Sequence, residues 1–232
     1  HGATWSMPIR IAQSQSVGTQ DPNTGAQVRT SSNLPQIAAG PSGELVMVWQ
    51  DARFNGGKYD GIVMSRSSDD GLTWSTPIEI NTVHSAPAFT PSVAVLPDGT
   101  IGVSYFDFRN NTSNKSQLLT DYWFISSSDG THWSEQHISG PFDMDLAPNA
   151  EGLFIGDYQA LTVIGDTFVP FYVQTNNHGT DNRNDAYVLP PQPVPLSLNR
   201  KINYIAHALP STPSDAAFRH RVHVSIMQQL RG

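Results

Sequence analysis

Cysteine is absent from all 232 residues, so no disulfide, thiolate nucleophile or Cys-ligated zinc site can be built from this chain. Charge is scarce too: Asp, Glu, Lys and Arg make up 14%, which argues against a coiled coil or a helical bundle. No uninterrupted apolar run reaches about 18 residues and no basic start precedes an apolar block, so neither a membrane span nor an attached signal peptide is visible. A mature secreted or cell-surface protein has this appearance, and that is the expected location. Only four glutamates occur, Glu44, Glu79, Glu135 and Glu151. A Gly-rich phosphate loop after a strand and a Gly-x-Ser-x-Gly elbow are also missing.

What is present is punctuation. Gly (18) and Pro (17) interrupt the chain often, as short strands joined by many turns require, and the length is enough for one large β domain with a real core. Charge is uneven: residues 1–199 carry 8 Lys/Arg against 19 Asp/Glu, and residues 200–232 carry 5 against 1. The acidic body is a poor nucleic-acid surface. The basic tail either docks on that body or an acidic neighbour, or is solvated.

The organising stretch is Ser67-Ser68-Asp69-Asp70-Gly71-Leu72-Thr73-Trp74, read as Ser-x-Asp-x-Gly-x-Thr-Trp. Ser and Asp side chains can bond backbone N–H groups inside a tight turn, Gly supplies positive φ, and Trp anchors the hairpin. A repeat surrounds it. At an offset of 56, Pro35 meets Pro91, Gly43 meets Gly99, Trp49 meets Tyr105, Asp51 meets Asp107 and Arg53 meets Arg109. Each unit reads as a short strand, a Gly turn, an apolar strand, an aromatic-x-Asp-x-Arg stretch, a third strand and a box. The second box, Ser126 to Trp133, places Ser128 where Asp is expected and His132 where Thr is expected. Trp74 to Trp133 is 59, which puts a net gain of three residues in the loop Asn110 to Gln117.

A third unit opens with a strand over Phe154 to Val163, a turn at Gly165-Asp166, a strand over Thr167 to Gln174 and a further strand from Asn184 to Val188, with no box. Pro190 to Pro195 follows, which cannot be a central strand. In the tail, Val222, Val224 and Ile226 alternate with polar residues as one late strand. At the start, Gly2-Ala3-Thr4-Trp5 has the spacing of the end of a box, with Met7 to Ile11 as its outgoing strand. The expected organisation is therefore a partial repeat domain over 1–189, in units of about 1–12, 35–81, 90–139 and 154–189, then a Pro-rich linker and basic tail over 190–232. Ring closure takes at least about four blades, so further blades or another chain are expected to complete it.

The box and its repeat resemble the Asp-box (BNR) repeats of the sialidase-like β-propeller family. The resemblance covers about 150 to 185 residues. It implies an all-β, sialidase-type propeller, with about three blades of a six-bladed ring and a non-propeller C-terminal tail. Active members clamp a sialic-acid carboxylate with three arginines, use an Asp acid/base, and attack with a Tyr nucleophile assisted by Glu. Residue by residue, Arg53 in Trp49-Gln50-Asp51-Ala52-Arg53 resembles a clamp arginine, Asp60 lies near the acid/base place, and Tyr158 opens a strand as the nucleophile does. Arg109 is the repeat counterpart of Arg53. The family's Arg-Ile-Pro entry is replaced by Asn33-Leu34-Pro35, which removes the principal anchor unless Arg29 reaches in, and no Glu matches the nucleophile's helper. Recurrence of Asp-x-Arg in both units also fits a repeat-level salt bridge.

Remaining signals are weaker. His220 and His223 lack a carboxylate pair nearby. Asp143, Asp145 and Asp157 have no EF-hand spacing, so a solvated acidic loop competes with calcium; no cofactor is expected. Asn110, Asn111 and Asn114 open formal glycosylation sequons. Two functions stay open: a non-catalytic propeller that binds a glycan, sialoside-like ligand or protein through its central face, and a hydrolase using Asp60, Tyr158, Arg53 and Arg109.

Overall fold

The apolar strands form four antiparallel sheets, seen in a computed structural model that describes residues 5–30, 32–179, 181 and 183–189. The chain divides into two compact units, His1–Pro191 and Gln192–Gly232. The Pro-rich stretch, basic tail, late strand over Val222 to Ile226 and the histidines His220 and His223 lie outside the described residues, as do Gly2 to Thr4. No helix among the described residues is long and apolar enough to cross a membrane.

A small hairpin pairs β1 (Thr19–Gln20) with β2 (Gln27–Val28). Sheet 1 follows as an up-and-down meander of β3 (Gln36–Ala39), β4 (Leu45–Asp51), β5 (Gly61–Ser67) and β6 (Ile78–Glu79). Sheet 2 repeats it with β7 (Ala88–Val95), β8 (Ile101–Asp107), β9 (Leu119–Ser127) and β10 (Ser134–Asp143). Sheet 3 has β11 (Ala160–Ile164), β12 (Thr167–Thr175) and β13 (Asn184–Val188). A four-stranded meander is the unit of a propeller blade.

Strand alternation decides which faces meet. Val46 and Val48 of β4 and Ile62 and Met64 of β5 are buried against Val93, Val103, Tyr105 and Ile125 of sheet 2. The other face of sheet 2 meets sheet 3 through Ala94, Phe124 and Leu161, and through the stacked rings of Tyr122 and Tyr172, 4.4 Å apart. Gly102 is needed there: a Cβ would come within 2.5 Å of the Phe168 ring.

Both box turns form on side-chain hydrogen bonds. Gly71 N donates to Ser67 Oγ (2.9 Å), Thr73 N to Asp69 Oδ1 (2.8 Å), Thr73 Oγ1 to Asp69 Oδ2 (2.6 Å), and Trp74 Nε1 to Gly71 O (3.0 Å). Asp70 and Gly71 take φ of 56° and 86°. In the second turn Gly130 N donates to Ser127 Oγ (2.8 Å), while His132 N and ring Nδ1 bond Asp129 Oδ1 (2.8 Å) and Oδ2 (2.7 Å). The box aspartate is thus Asp129, not Ser128. This turn simply has one residue fewer between Asp and Gly, which a position-by-position alignment hides. Asp51 pairs with Gly61 but Asp107 with Asp121, so the β8–β9 loop gains four residues, and the shorter turn brings the net to three.

Two strand expectations are corrected. Met7 to Ile11 joins no ladder, since residues 5–18 carry no regular structure. The third unit's first strand starts at Ala160 rather than Phe154; Gly156, at φ 110°, turns the chain before it can extend.

Candidate functional site

In an antiparallel meander alternate connections fall at opposite ends of the sheet. The boxes therefore occupy one end, and the β4–β5, β6–β7, β8–β9 and β10–β11 connections share the other. Arg53, Asp60, Arg109 and Tyr158 all belong to this second end. A cleft of about 800 Å³ opens here, lined by Asn23, Lys58, Tyr59, Arg109, Asn111 and Thr112 among others. Asn23 Nδ2 donates to Thr112 O (2.6 Å) and Tyr59 Oη to His84 O (2.8 Å), so the polar rim is held in place.

Beneath the rim lies a buried polar network. Gln50 Nε2 donates to Asp60 Oδ2 (3.2 Å), Thr30 Oγ1 (3.1 Å) and Thr19 Oγ1 (3.3 Å), and Gln50 Oε1 accepts from Thr90 N (3.0 Å). Thr90 sits at a bulge in β7 with φ 49°, strained for a β-branched residue. Its Oγ1 donates to Thr30 O (3.1 Å), so the network holds the strained turn. Residues 13–17 form a strap across it. Ser16 Oγ (2.5 Å) and Val17 N (2.9 Å) donate to Asp60, and Gln15 N to Asp51 Oδ2 (3.2 Å). Asp60 is 0% exposed. Burial pushes its carboxyl above the ordinary aspartate range, against the pull of the Ser16, Val17 and Gln50 donors.

The two arginines are engaged by their own units. Arg53 donates Nε and Nη2 to Asp51 (2.9 and 2.7 Å) and Nη2 also to Gln13 O (2.6 Å). Burial pushes Asp51 up, but hydrogen bonds from Arg53, Trp49, and the Arg53 and Gln15 amides outweigh it, leaving the carboxyl below its usual value. Arg109 donates Nε to Asp107 and Nη1 and Nη2 to Glu135 (2.6 and 2.9 Å), with its guanidinium 3.7 Å from the Trp123 ring centroid. Burial pushes Asp107 up to about 6, opposed by the charge and hydrogen bonds of Arg109. Tyr158, by contrast, is 82% exposed, and no hydrogen bond among the described residues links it to Asp60, Arg53 or Arg109.

Arg29 does not stand alone: it pairs with Asp157 (3.2 Å) and lies 4.5 Å over the Phe154 ring. Both line a second hollow of about 400 Å³ with Thr30, Asn33 and Glu151. Asp143 caps the 3₁₀ turn Met144–Leu146 through Asp145 N, while Asp157 faces Arg29. The carboxylates of Asp143 and Asp157 thus serve separate partners, and among the described residues no three His, Asp or Glu side chains converge for a metal. Gln50, Thr19, Thr30, Thr90 and Ser16 were not singled out by sequence reasoning. Their one available signal was Gln50, a long polar side chain inside an otherwise apolar strand.

No known family model matches the chain, and no curated protein matches it. Among solved structures, a protein of unknown function from Dyadobacter fermentans DSM 18053 is similar at 18% identity, with a TM-score of 0.43, covering 69% of this chain and 52% of that one. An α-L-arabinanase of Penicillium chrysogenum, solved with arabinobiose, is similar at 17% identity with a TM-score of 0.38, covering 72% and 58%. The chain spans a little over half the length of each.

Proposed function

We propose that this chain supplies three blades of a sialidase-like Asp-box propeller, secreted or surface-borne, that binds a glycan in the cleft beside Tyr59 and Asn111 without hydrolysing it. The observation that carries the non-hydrolytic reading is the caging of Asp60. A general acid must reach the leaving oxygen, and both Asp60 oxygens are taken by Ser16, Val17 and Gln50 at zero exposure. Arg53 and Arg109 are likewise occupied by Asp51, Asp107 and Glu135. The cleft rim offers a sugar the Tyr59 ring, the Thr112 hydroxyl and the side-chain N–H groups of Asn111, whose Oδ1 is held by Leu119 N (3.0 Å).

The hydrolase reading keeps one support, the raised pKa of Asp60, as a general acid requires. One experiment separates the two. Calorimetric titration with sialyllactose runs beside release of 4-methylumbelliferone from its sialoside. Binding without release is expected, weakened about tenfold in Asn111→Ala, the loss of about 1.4 kcal/mol that one good hydrogen bond accounts for. Release that disappears in Asp60→Asn and Tyr158→Phe establishes the hydrolase instead; neither binding nor release sinks both.

A further inference from the structure

The β4–β5 loop, residues 52–60, is one wall of the cleft: Lys58 and Tyr59 line it. The same loop holds Asn55-Gly56, the one place in the chain where glycine follows asparagine. Asparagine is chemically fragile in that setting. The next residue's amide nitrogen can close a five-membered ring on the side-chain carbonyl carbon, and glycine has no side chain to obstruct the closure. The fold leaves that nitrogen free. Asn55 N and Gly57 N both donate to Ala52 O (3.1 and 3.0 Å), and Lys58 N donates to Asn55 O (3.3 Å). Gly56 N makes no hydrogen bond among the described residues, and Gly56 is exposed to water. Gly56 and Gly57 take φ of 62° and 74°, a backbone that glycine adopts without strain.

The side-chain amide of Asn55 is built into the wall. Asn55 Nδ2 donates to Glu79 Oε1 (3.0 Å), and Glu79 Oε2 lies 2.5 Å from His84 Nδ1. The Glu79 side chain is 8% exposed. Gly61 makes room for the pair, since a Cβ there would lie 2.2 Å from Glu79 Oε1 and 3.2 Å from Asn55 Nδ2. The bond ties the loop to β6, which Glu79 ends. His84 in turn accepts Tyr59 Oη at its carbonyl, so the cleft rim and this tie share one support.

We propose that Asn55 is a self-modification site, whose conversion to aspartate or isoaspartate unties this wall of the cleft. Gly56 N loses its proton to water and attacks Asn55 Cγ. The N–Cγ bond forms, the Cγ–Nδ2 bond breaks, and Nδ2 takes a proton from water and leaves as ammonia. Water then opens the succinimide. Attack at Cγ gives aspartate, and attack at the main-chain carbonyl carbon gives isoaspartate, in which the main chain runs through Cγ. The sum consumes one water and releases one ammonia, with no oxidation or reduction. Aspartate puts a carboxylate where the donor stood, against the buried Glu79 carboxylate, so an attraction becomes a repulsion. Isoaspartate withdraws the side chain and adds one carbon to the main chain of the loop. Either way the bond to Glu79 is lost. The proposal is independent of whether the cleft binds a glycan.

Peptide mass spectrometry of the intact, folded protein, held warm at mildly alkaline pH, is expected to find aspartate and isoaspartate at residue 55 before conversion at any other asparagine of the described residues. Gly56→Ala is expected to abolish that lead, while Gly57→Ala, which alters the same turn without touching the attacking nitrogen, is expected to keep it. Both positions have open space for a methyl group, so neither variant clashes. Hydrogen exchange at the Gly57 and Lys58 amides reads the tie itself. Exchange is expected to quicken as conversion proceeds and in Asn55→Asp, and to return to the wild-type rate when Asn55→Asp is combined with Glu79→Gln, where donor and acceptor change places. Conversion at Asn55 no earlier than elsewhere, or undiminished in Gly56→Ala, overturns the proposal. So does an Asn55→Asp loop that exchanges like the wild type, or one whose faster exchange survives Glu79→Gln.

Discussion

The aromatic-x-Asp-x-Arg stretch ends the second strand of both complete sheets, yet it fastens different things. In sheet 2, Arg109 reaches across to Glu135 of β10 and Tyr105 Oη donates to the same carboxylate (2.6 Å), so the unit locks its own outermost strand. In sheet 1 the corresponding stretch, Ser75-Thr76-Pro77, holds no carboxylate. Arg53 turns instead to Gln13 O, and Asp51 to Gln15 N, so the unit holds the strap. The indole donors differ in the same way. Asp51 takes its bond from Trp49 of its own strand, and Asp107 from Trp123 on the neighbouring strand. One repeat-level salt bridge is thus adapted by what lies beside it, once to close a sheet and once to cover a polar network.

The largest test of this contrast removes the two arginines. Arg109 is 10% exposed and its loss leaves Asp107 and Glu135 without their cation. Arg109→Ala is expected to cost about 3–5 kcal/mol, the range for breaking a buried ion pair from one side. Arg53→Ala is expected to cost less, about 2 kcal/mol, because Asp51 keeps the Trp49 and Gln15 donors. Only Arg53→Ala is expected to raise protease cleavage near residues 13–17. Urea denaturation with limited proteolysis reads both; equal costs, or strap release in Arg109→Ala, break the comparison.

This contrast also marks how far the sequence could be read. The 56-residue offset, the box turns and the placement of Asp51 and Asp107 at matched strand ends were legible, because turn chemistry and strand alternation leave local signatures. Glu135 as the partner of Arg109 was not: the two are 26 residues apart and meet only across the ladder. Nor was the strap, since Ser16 and Val17 bond Asp60 across more than forty residues from a segment with no periodicity. Asp129 was displaced by one place because a turn one residue shorter preserves the bonds but not the spacing.

A smaller test lies in the two carboxylates under the strap, which titrate in opposite senses. The carboxyl of Asp60 is raised by burial, so its contribution to stability is fully present below about pH 3.8 and is lost as pH rises through its folded value. That of Asp51 is lowered by its donors, so its contribution is present above about 3.8 and is lost as pH falls through its folded value. Melting temperatures from pH 3 to 7 are expected to show the wild-type minus Asp60→Asn difference shrinking as pH rises. The wild-type minus Asp51→Asn difference is expected to shrink as pH falls. Parallel trends in the two differences would show that the strap does not distinguish the two sites.

The smallest expected effect compares the two boxes. His132 stands where Thr73 stands, and it bonds Asp129 with ring and amide as Thr73 bonds Asp69 with hydroxyl and amide. A hydroxyl is indifferent to pH between 5 and 8, but an imidazole is not. Hydrogen bonding to Asp129, reinforced by its charge, raises the His132 pKa above 6.5. The ring's contribution to the turn is therefore complete below about pH 6.5 and fades as pH rises through the folded value. Since the pair is exposed to solvent, salt weakens it and the global stability change is small. An NMR titration of the imidazole is expected to place its midpoint above 6.5, and Asp129→Asn to return it to the ordinary value. A midpoint unmoved by Asp129→Asn would mean that the turn rests on the His132 amide alone, leaving the second box no more pH-sensitive than the first.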